Sequence, residues 1–350
     1  MTEAFGASSF AAPSELTGGR GALVEARRLG KTFELATPWL DRLLRRDQPR
    51  SVRAVDDVSF TIAPGRTLAL VGESGCGKST LARLMVGLQS PTAGDAWIDG
   101  ANVHATLAGP SHAARALRQR TQMIFQDPYA SLNPRWRIVD IVAEPLIEQD
   151  LIAAADAPAR VAELLASVGL KNADLSKFPH QFSGGQRQRI SIARAIATEP
   201  DFLVCDEPTS ALDVSVQAQV LNLMVDLQRE RELSCLFISH NLVVVRYVSD
   251  DVGVMYLGRL VELAPKDELF RAPRHPYTRM LLAAIPDVNM SGRQRVPVLG
   301  EVPNPLAPPQ GCAFDPRCPH ANARCSLERP QLLPSGAVSV ACHAVEEGRL

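Results

Sequence analysis

The chain has 350 residues, of which 46% are hydrophobic and 21% are charged. That hydrophobic content is ample for one large packed domain with extensions, and it excludes wholesale disorder. The formal net charge of −1 supplies no global field for binding nucleic acid, so we expect no nucleic-acid partner.

The sequence carries no recognisable membrane or export signal. No apolar run approaches the ~20 residues that a helix needs to cross a bilayer. The chain begins with Met1, Thr2 and Glu3 and lacks a basic region followed by an apolar one, so no signal peptide is predicted. We therefore expect the chain to stay in the cytoplasm unless a partner holds it at the membrane.

The N-terminal part reads as a tail followed by a small β layer. Residues 1–20 are rich in alanine, serine, glycine and proline and predict a loose tail. Apolar and polar residues then alternate at Leu23–Thr32, Val52–Ile62 and Ala96–Asp99, which predicts β-strands. An insertion at Ala36–Arg50 interrupts this layer.

A glycine-rich loop follows the short apolar segment Thr67–Val71, and Lys78–Leu88 predicts the helix after it. The loop Gly72–Ser79 matches G-x-x-x-x-G-K-[ST] in the strand–loop–helix context that this motif requires. Its backbone N–H groups would cradle phosphate oxygens, with Lys78 on the β- and γ-phosphates and Ser79 on Mg²⁺. The predicted ATP-binding residues of this segment are Gly72, Glu73, Ser74, Gly75, Cys76, Gly77, Lys78, Ser79 and Thr80.

The middle of the chain predicts a parallel sheet. Residues from about 128 to 195 are rich in helix patterns. Short apolar runs at Phe202–Cys205, Cys235–Ser239 and Gly253–Tyr256 predict buried strands, separated by helices such as Val214–Arg231. Strand and helix in alternation indicate an α/β fold whose mainly parallel sheet is covered on both faces.

Two acidic residues end the strand that begins at Phe202. Asp206 stands where it could hold Mg²⁺ directly or through water, and Glu207 is the candidate general base that polarises the attacking water. A helix N-cap pair is the alternative for a lone Asp-Glu sequence. The preceding apolar strand and the phosphate loop favour the catalytic interpretation.

A second glycine-containing run, Ser183–Gln186, lies about twenty residues before these acids. With the phosphate loop, it resembles the ATP-binding subunit of an ABC transporter. The segments Gln122–Pro134 and Ala211–Leu221 resemble the second, F-type, ATPase subunit of oligopeptide and dipeptide permeases at almost every position. This resemblance extends over nearly the whole chain after residue 20 or so.

The resemblance implies a P-loop ABC-type ATPase domain at 21–285. Such a domain has a mainly parallel core sheet, an antiparallel β subdomain and a helical subdomain, here at about 128–195. Gln126 matches the Q-loop, which contacts Mg²⁺ and water beside a segment that touches a membrane subunit. His240 matches the switch histidine, which contacts the γ-phosphate. Lys78, Glu207 and His240 are thus the expected catalytic residues.

Other family positions imply a second subunit. The signature residues Ser183, Gly184, Gly185 and Gln186 would bind the γ-phosphate held by the opposite ATPase, and Asp213 fits the D-loop at the same interface. Phe33 occupies the A-loop position and could stack on adenine. An ordinary core role for Phe33 is the competing interpretation.

Beyond Pro286 the composition shifts to proline, glycine and cysteine, which predicts an irregular extension at 286–350 packed on the ATPase domain. Four cysteines crowd into it: Cys312, Cys318, Cys325 and Cys342. Zinc, an iron–sulfur cluster and free reduced thiols all remain compatible with their spacing. Gly311–His320 and His275–Thr278 resemble the extension of peptide-permease ATPases. Because members of that family carry a [4Fe–4S] cluster at such cysteines, we favour the cluster.

The expected function is ATP hydrolysis that drives peptide import. The family assembles two related ATPases, two membrane permeases and an external binding protein, so this chain would lie on the cytoplasmic face of the membrane beside a non-identical ATPase. Nickel, glutathione or saccharide import by the same machinery is an alternative. A soluble ABC protein acting on ribosomes or DNA and a subunit with a dead site fit the motifs less well.

Overall fold

The computed structural model describes residues 21–34, 51–284 and 300–350. The predicted tail at 1–20 and the predicted insertion at Ala36–Arg50 lie outside these residues. None of the helices in the described ranges combines the length and the apolar content needed to cross a membrane.

Strands and helices alternate through the described ranges. The strands are β1 Val24–Glu34, β2 Ser51–Ile62, β3 Thr67–Val71, β4 Ala93–Ile98, β5 Ala101–Asn102, β6 Thr121–Ile124, β7 Phe202–Asp206, β8 Ser234–Ile238, β9 Asp251–Tyr256, β10 Arg259–Pro265, β11 Leu333–Ser335 and β12 Val338–Val340. The helices are α1 Lys78–Met85, α2 Val103–Ala108, α3 Ser111–Arg120, α4 Pro128–Ser131, α5 Ile138–Glu148, α6 Ala157–Ser167, α7 Gly184–Ile196, α8 Val214–Glu230, α9 Leu242–Val248, α10 Lys266–Arg271, α11 Pro276–Ala283, α12 Ala323–Leu327 and α13 His343–Glu346.

A small antiparallel sheet confirms the predicted β layer. Its four strands follow the order β2-β1-β4-β5, and Val24 of β1 pairs with Ile62 on one side and Ile98 on the other. All three of these side chains are buried. The alternation in the sequence therefore marks the face of this layer that packs against the rest of the domain.

The main sheet has eight strands in the order β11-β12-β10-β9-β3-β8-β7-β6. The pairs among β3, β6, β7, β8 and β9 are parallel, which confirms the mainly parallel core. Every residue of β3, β7 and β8 is buried, as expected for strands covered on both faces. The carboxyl ends of parallel strands meet at one sheet edge, so the chain segments after β3, β6, β7 and β8 converge there.

The region from α5 to α7 is helical and shares a continuous apolar core with the main sheet. Helix α5 contributes Ile138, Ile141 and Val142, and α7 contributes Ile190 and Ile192. Helix α8 packs beside α7 and returns the chain to β8. This packing fixes α7, and with it the predicted signature run, relative to the sheet.

The C-terminal segment is more regular than the expected irregular extension. Strand β12 pairs with β10, with Val340 opposite Glu262, and β11 pairs with β12. Phe314 is buried against Tyr256 and Tyr277, with ring centroids 5.4 and 5.5 Å away. The segment therefore adds two strands, β11 and β12, to the edge of the main sheet, and Phe314 packs against the aromatic side chains beside it.

Candidate nucleotide-binding site

The loop after β3 has a backbone that only glycine tolerates at two positions. Gly72 and Gly77 have φ values of 153° and 106°. A Cβ atom would lie 2.2 Å from the carbonyl oxygen of Met255 at Gly72, and 2.0 Å from that of Ala54 at Gly77. Both neighbours are backbone atoms, so the loop keeps its shape because glycine lets other chain segments approach this closely.

Lys78 begins α1 and folds back over the loop. Its Nζ donates hydrogen bonds to the carbonyl oxygens of Gly72 and Glu73, at 2.8 and 3.0 Å. The side chain is buried. Cys76 is buried next to it, and burial raises the pKa of that thiol. Hydrogen bonds thus hold the ammonium group of Lys78 against the loop that the sequence predicts to bind phosphate.

A hydroxyl and a carboxylate meet at the start of α1. The Oγ of Ser79 donates a hydrogen bond of 2.9 Å to Oδ1 of Asp206, at the end of β7. Asp206 is buried, and burial raises its pKa, although the hydrogen bond from Ser79 opposes the shift. One carboxylate and one hydroxyl suit Mg²⁺, which usually takes its other ligands from water and substrate phosphates.

Three further polar side chains converge beside Asp206. Nε2 of Gln126 donates a 3.2 Å hydrogen bond to Oε2 of Glu207, and Nδ1 of His240 lies 3.2 Å from the same oxygen. The strand order of the main sheet brings these three residues together. No helix begins at Glu207, since α8 starts at Val214, so the N-cap alternative does not apply. Glu207 has a φ of 47°, in the left-handed region, which is costly for a non-glycine residue.

The signature run lies at the exposed start of α7. Ser183 is the N-cap, with its Oγ accepting from the backbone N–H of Gln186, while Oε1 of Gln186 accepts from the N–H of Ser183 at 3.0 Å. Gly184 is exposed and lies near Leu212 of the predicted D-loop. In the described residues, no hydrogen bond or ion pair joins Ser183 or Gln186 to the phosphate loop. Asp213 is likewise exposed and starts α8.

Phe33 lies near the end of β1, paired with Val52 of β2. It is half-buried, and Nζ of Lys31 is 5.4 Å from its ring centroid. Part of the ring is therefore accessible, and both the adenine-stacking role and the core role stay predictions for Phe33.

The four C-terminal cysteines lie close enough to influence one another. Burial and, to a smaller extent, the negative charges of Cys325, Cys318 and Cys342 raise the pKa of Cys312 to about 12. Burial also raises the pKa of Cys318 and Cys342. Within the described ranges, however, no three histidine, cysteine or acidic side chains could share one metal ion.

One contact of the phosphate loop was not predicted. The guanidinium of Arg317 forms two hydrogen bonds with the carboxylate of Glu73, at 2.8 and 3.0 Å. The hydroxyl of Tyr277 accepts a hydrogen bond of 2.9 Å from the backbone N–H of Glu73. Glu73 and Arg317 are 244 positions apart in the sequence, so no local pattern could reveal their ion pair. Its only sequence signal is that Arg317 lies inside the cysteine-containing segment that resembles peptide-permease ATPases.

Comparison with known proteins places these observations in a family. Residues 55–210 match the family described as ABC transporter, and residues 261–325 match the oligopeptide/dipeptide transporter C-terminal region. The di/tripeptide transport ATP-binding protein DppF of Pseudomonas aeruginosa is 50% identical over 297 residues, covering 85% of this chain and 91% of the relative. The oligopeptide transport ATP-binding protein OppF of Escherichia coli is 46% identical over 338 residues, which cover 95% of this chain and 98% of the relative.

Solved structures agree on the fold. A dimeric post-hydrolysis state of the ATP-binding cassette MJ0796, bound to ADP and Pi, aligns with a TM-score of 0.60 at 24% identity, over 69% of this chain and 98% of that chain. CbiO1 from Clostridium perfringens, part of an ABC transporter complex, aligns with a TM-score of 0.59. The chain belongs to the family of ABC transporter ATP-binding proteins, in the group that carries the oligopeptide/dipeptide transporter C-terminal region.

Proposed function

We propose that this protein is the ATP-hydrolysing subunit of a membrane importer for dipeptides or oligopeptides. The observation that carries this proposal is the convergence of Ser79, Gln126, Asp206, Glu207 and His240 at the end of the phosphate loop. The names of the relatives, which are peptide transport ATP-binding proteins, supply the transported class.

Lys78 and Ser79 would take the phosphates and their metal ion. Lys78 now donates to two loop carbonyls, and it would exchange these for the β- and γ-phosphate oxygens of ATP. Ser79, Asp206 and Gln126 would hold Mg²⁺, which neutralises phosphate charge when bound. The remaining loop residues would surround the phosphates with backbone N–H groups. Phe33, half-buried at the end of β1, would stack on the adenine.

Glu207 would act as general base. The oxygen of a water molecule attacks the γ-phosphorus, its proton passes to Glu207, and the bond from the γ-phosphorus to the bridging oxygen of ADP breaks. Gln126 and His240 both lie 3.2 Å from the same Glu207 oxygen. They would orient the base, and His240 would also contact the γ-phosphate. The fixed left-handed backbone of Glu207 aims its carboxylate into this group.

A second ATPase subunit would complete the site. Ser183, Gly184 and Gln186 are exposed at the N-terminus of α7, where helix N–H groups suit a phosphate. We propose that they, Gly185 and Asp213 meet the ATP bound by a related, non-identical ATPase across the interface. Hydrolysis then removes the γ-phosphate that joins the two subunits, and the pair opens.

Two membrane permeases would hold the protein at the cytoplasmic face of the membrane. A groove of about 680 Å³ lies between the α1–α2 region and the helical region. Its rim includes Leu88 and Phe125, whose exposed fractions are 58% and 40%. We propose that an apolar segment of a permease binds there, next to Gln126. The external binding protein would interact through the permeases.

The direct test is Glu207→Gln in the transporter reconstituted in vesicles with both permeases and the partner ATPase. We expect MgATP binding to persist while peptide-stimulated phosphate release falls by roughly 100-fold or more. Glu232→Gln is the matched control, because Glu232 is exposed and has a similar left-handed φ of 51°. Near-normal turnover by Glu207→Gln would exclude the general-base role, and stimulation by nickel, glutathione or saccharides but not by peptides would exclude peptide import.

We further propose that Cys312, Cys318, Cys325 and Cys342 hold a [4Fe–4S] cluster. In such a cluster each thiolate binds a different iron, so the sulfurs need not converge on one ion. The proximity of Cys312 to the other three cysteines supports the proposal. Anaerobically purified protein should contain about four irons and four sulfides per chain, and Cys318→Ser should lose them. Zinc or no metal in the purified protein would contradict it.

A further inference from the structure

The C-terminal segment, residues 300–350, forms an ion pair with Glu73, the second residue of the phosphate loop. Nη1 and Nη2 of Arg317 donate to the two carboxylate oxygens of Glu73, at 2.8 and 3.0 Å. The Arg317 side chain is only 2% exposed, whereas that of Glu73 is 28% exposed. A two-pronged pair with a buried guanidinium is more directional and less screened than a surface salt bridge.

The side chains around the Arg317 guanidinium are mostly aromatic, and Glu73 supplies the carboxylate that pairs with it. Nη1 also lies 3.3 Å from the hydroxyl of Tyr256, and its guanidinium is 5.8 Å from the ring centroids of Tyr256 and Phe314. Its Nε has no hydrogen-bond partner in the described residues. Arg317 thus depends on the Glu73 carboxylate as its negative charge.

Glu73 is also held through its backbone. Tyr277 accepts a hydrogen bond from its N–H, and Lys78 donates one to its carbonyl oxygen. Residues from the C-terminal half of the chain therefore contact the N–H group and the carboxylate of Glu73, while Lys78 contacts its carbonyl oxygen. If Lys78 exchanged these carbonyl oxygens for a phosphate, the contacts of Arg317 and Tyr277 with Glu73 would still hold the loop.

The charge of Glu73 makes Arg317 important for nucleotide binding. A carboxylate at the second position of a phosphate loop repels the triphosphate, and the neighbouring guanidinium cancels that charge. Without Arg317, the carboxylate would have lost its buried partner and would be free to turn towards the phosphates.

We propose that Arg317 is a positioning residue for ATP binding, which neutralises Glu73 and fixes the first turn of the phosphate loop from the C-terminal segment. The inference rests on the proposed function in that the loop binds ATP. It assigns the C-terminal segment a part in the nucleotide site.

The test is a double-mutant cycle on the full chain, with the dissociation constant for MgATP as the measured quantity. Arg317→Gln should weaken binding about tenfold in the otherwise wild-type protein and less than twofold in a Glu73→Gln background. The effect of Arg317→Gln should also change with ionic strength, which lost packing alone would not produce. Arg317→Lys keeps the positive charge and should retain most of the affinity for MgATP. If Arg317→Gln folds poorly, Arg317→Lys still tests whether the charge is what matters.

Arg329→Gln is the matched control. Arg329 also belongs to the C-terminal segment, and its guanidinium lies 3.5 Å from the carboxylate of Asp56. Among the described residues, no hydrogen bond or ion pair joins Arg329 to the phosphate loop. An equal loss of affinity in both backgrounds, or no loss in the wild-type background, would overturn the positioning role. Failure of the wild-type protein to bind ATP would instead refute the proposed function, so the two failures are distinguishable.

Discussion

The two glycine-containing runs of this protein use glycine for different physical reasons. In the phosphate loop, Gly72 and Gly77 have positive φ values and touch backbone carbonyls of other segments. In the signature run, Gly184 and Gly185 are helical, and their neighbours are the side chains of Leu212 and Val216. The first run needs glycine for its backbone conformation, and the second needs it for room beside a neighbouring segment.

This difference matters because backbone and side chains respond differently to crowding. A carbonyl oxygen held in a strand cannot move without disturbing the strand, whereas a side chain can rotate or be trimmed. The phosphate loop should therefore tolerate no change at its tight glycines. The signature run should tolerate a methyl group when its neighbour is made smaller.

The largest effect is expected for Gly77→Ala. A Cβ there would lie 2.0 Å from the carbonyl oxygen of Ala54, so we expect a loss of about 3 kcal/mol or more in the free energy of unfolding, together with loss of ATP binding. Gly75→Ala is the control, because it has a φ of 80° but no atom within 4 Å. It should cost only about 1–2 kcal/mol. Chemical denaturation of both variants measures the difference, and equal losses would refute the steric explanation.

The next effect concerns the signature serine. Asp and Asn cap helices as well as Ser does, so Ser183→Asp and Ser183→Asn should both preserve α7. Only Asp adds a negative charge where the γ-phosphate of the partner site would lie. We expect Ser183→Asp to slow ATP hydrolysis by the assembled transporter by roughly 10- to 100-fold, and Ser183→Asn to have a smaller effect.

Binding of ATP by the isolated chain separates the two runs. Neither Ser183 variant should weaken it more than about twofold, because the signature run would bind nucleotide held by another subunit. A large loss in the isolated chain would place Ser183 in the chain's own site and contradict the heterodimer proposal.

The smallest effect is expected for Gly185→Ala. The added methyl group would lie 2.2 Å from Cγ1 of Val216, which costs more than the gain of about 1 kcal/mol in helix propensity. A net loss of about 1 kcal/mol in the free energy of unfolding should follow. Adding Val216→Ala should make the double variant more stable than Gly185→Ala alone. A further loss would show that the glycine is needed for its backbone after all.

The sequence predicted the parts of the fold that depend on local pattern. Apolar runs gave β3, β7 and β8 nearly to the residue, because strands covered on both faces are continuously apolar. Strand β10 was missed, since its buried Glu262 interrupts the apolar pattern. That carboxylate accepts hydrogen bonds from the backbone N–H groups of Arg274 and His275, a long-range arrangement that no local pattern reveals.

The same distinction holds for the site. The grouping of Gln126, Glu207 and His240 follows from motif order on a parallel sheet, and the structure brings them together. The pairing of Arg317 with Glu73 does not follow from any motif, because it depends on how the C-terminal segment folds back. Strands β11 and β12 were missed for the same reason: they are short, and β12 is defined by its partner β10.

The position of β12 also has a consequence for the order in which the protein is made. Arg317 follows Glu73 by 244 residues, so a ribosome adding 5–20 residues per second completes it roughly 10–50 seconds after Glu73. During that interval the phosphate loop lacks the Arg317 guanidinium. From the completion of β10 at Pro265 until β12 is made at Val338–Val340, the outer edge of β10 is also unpaired. The nascent chain therefore carries a sheet edge that can pair with other chains, and chaperone demand should be greatest just before its last residues emerge.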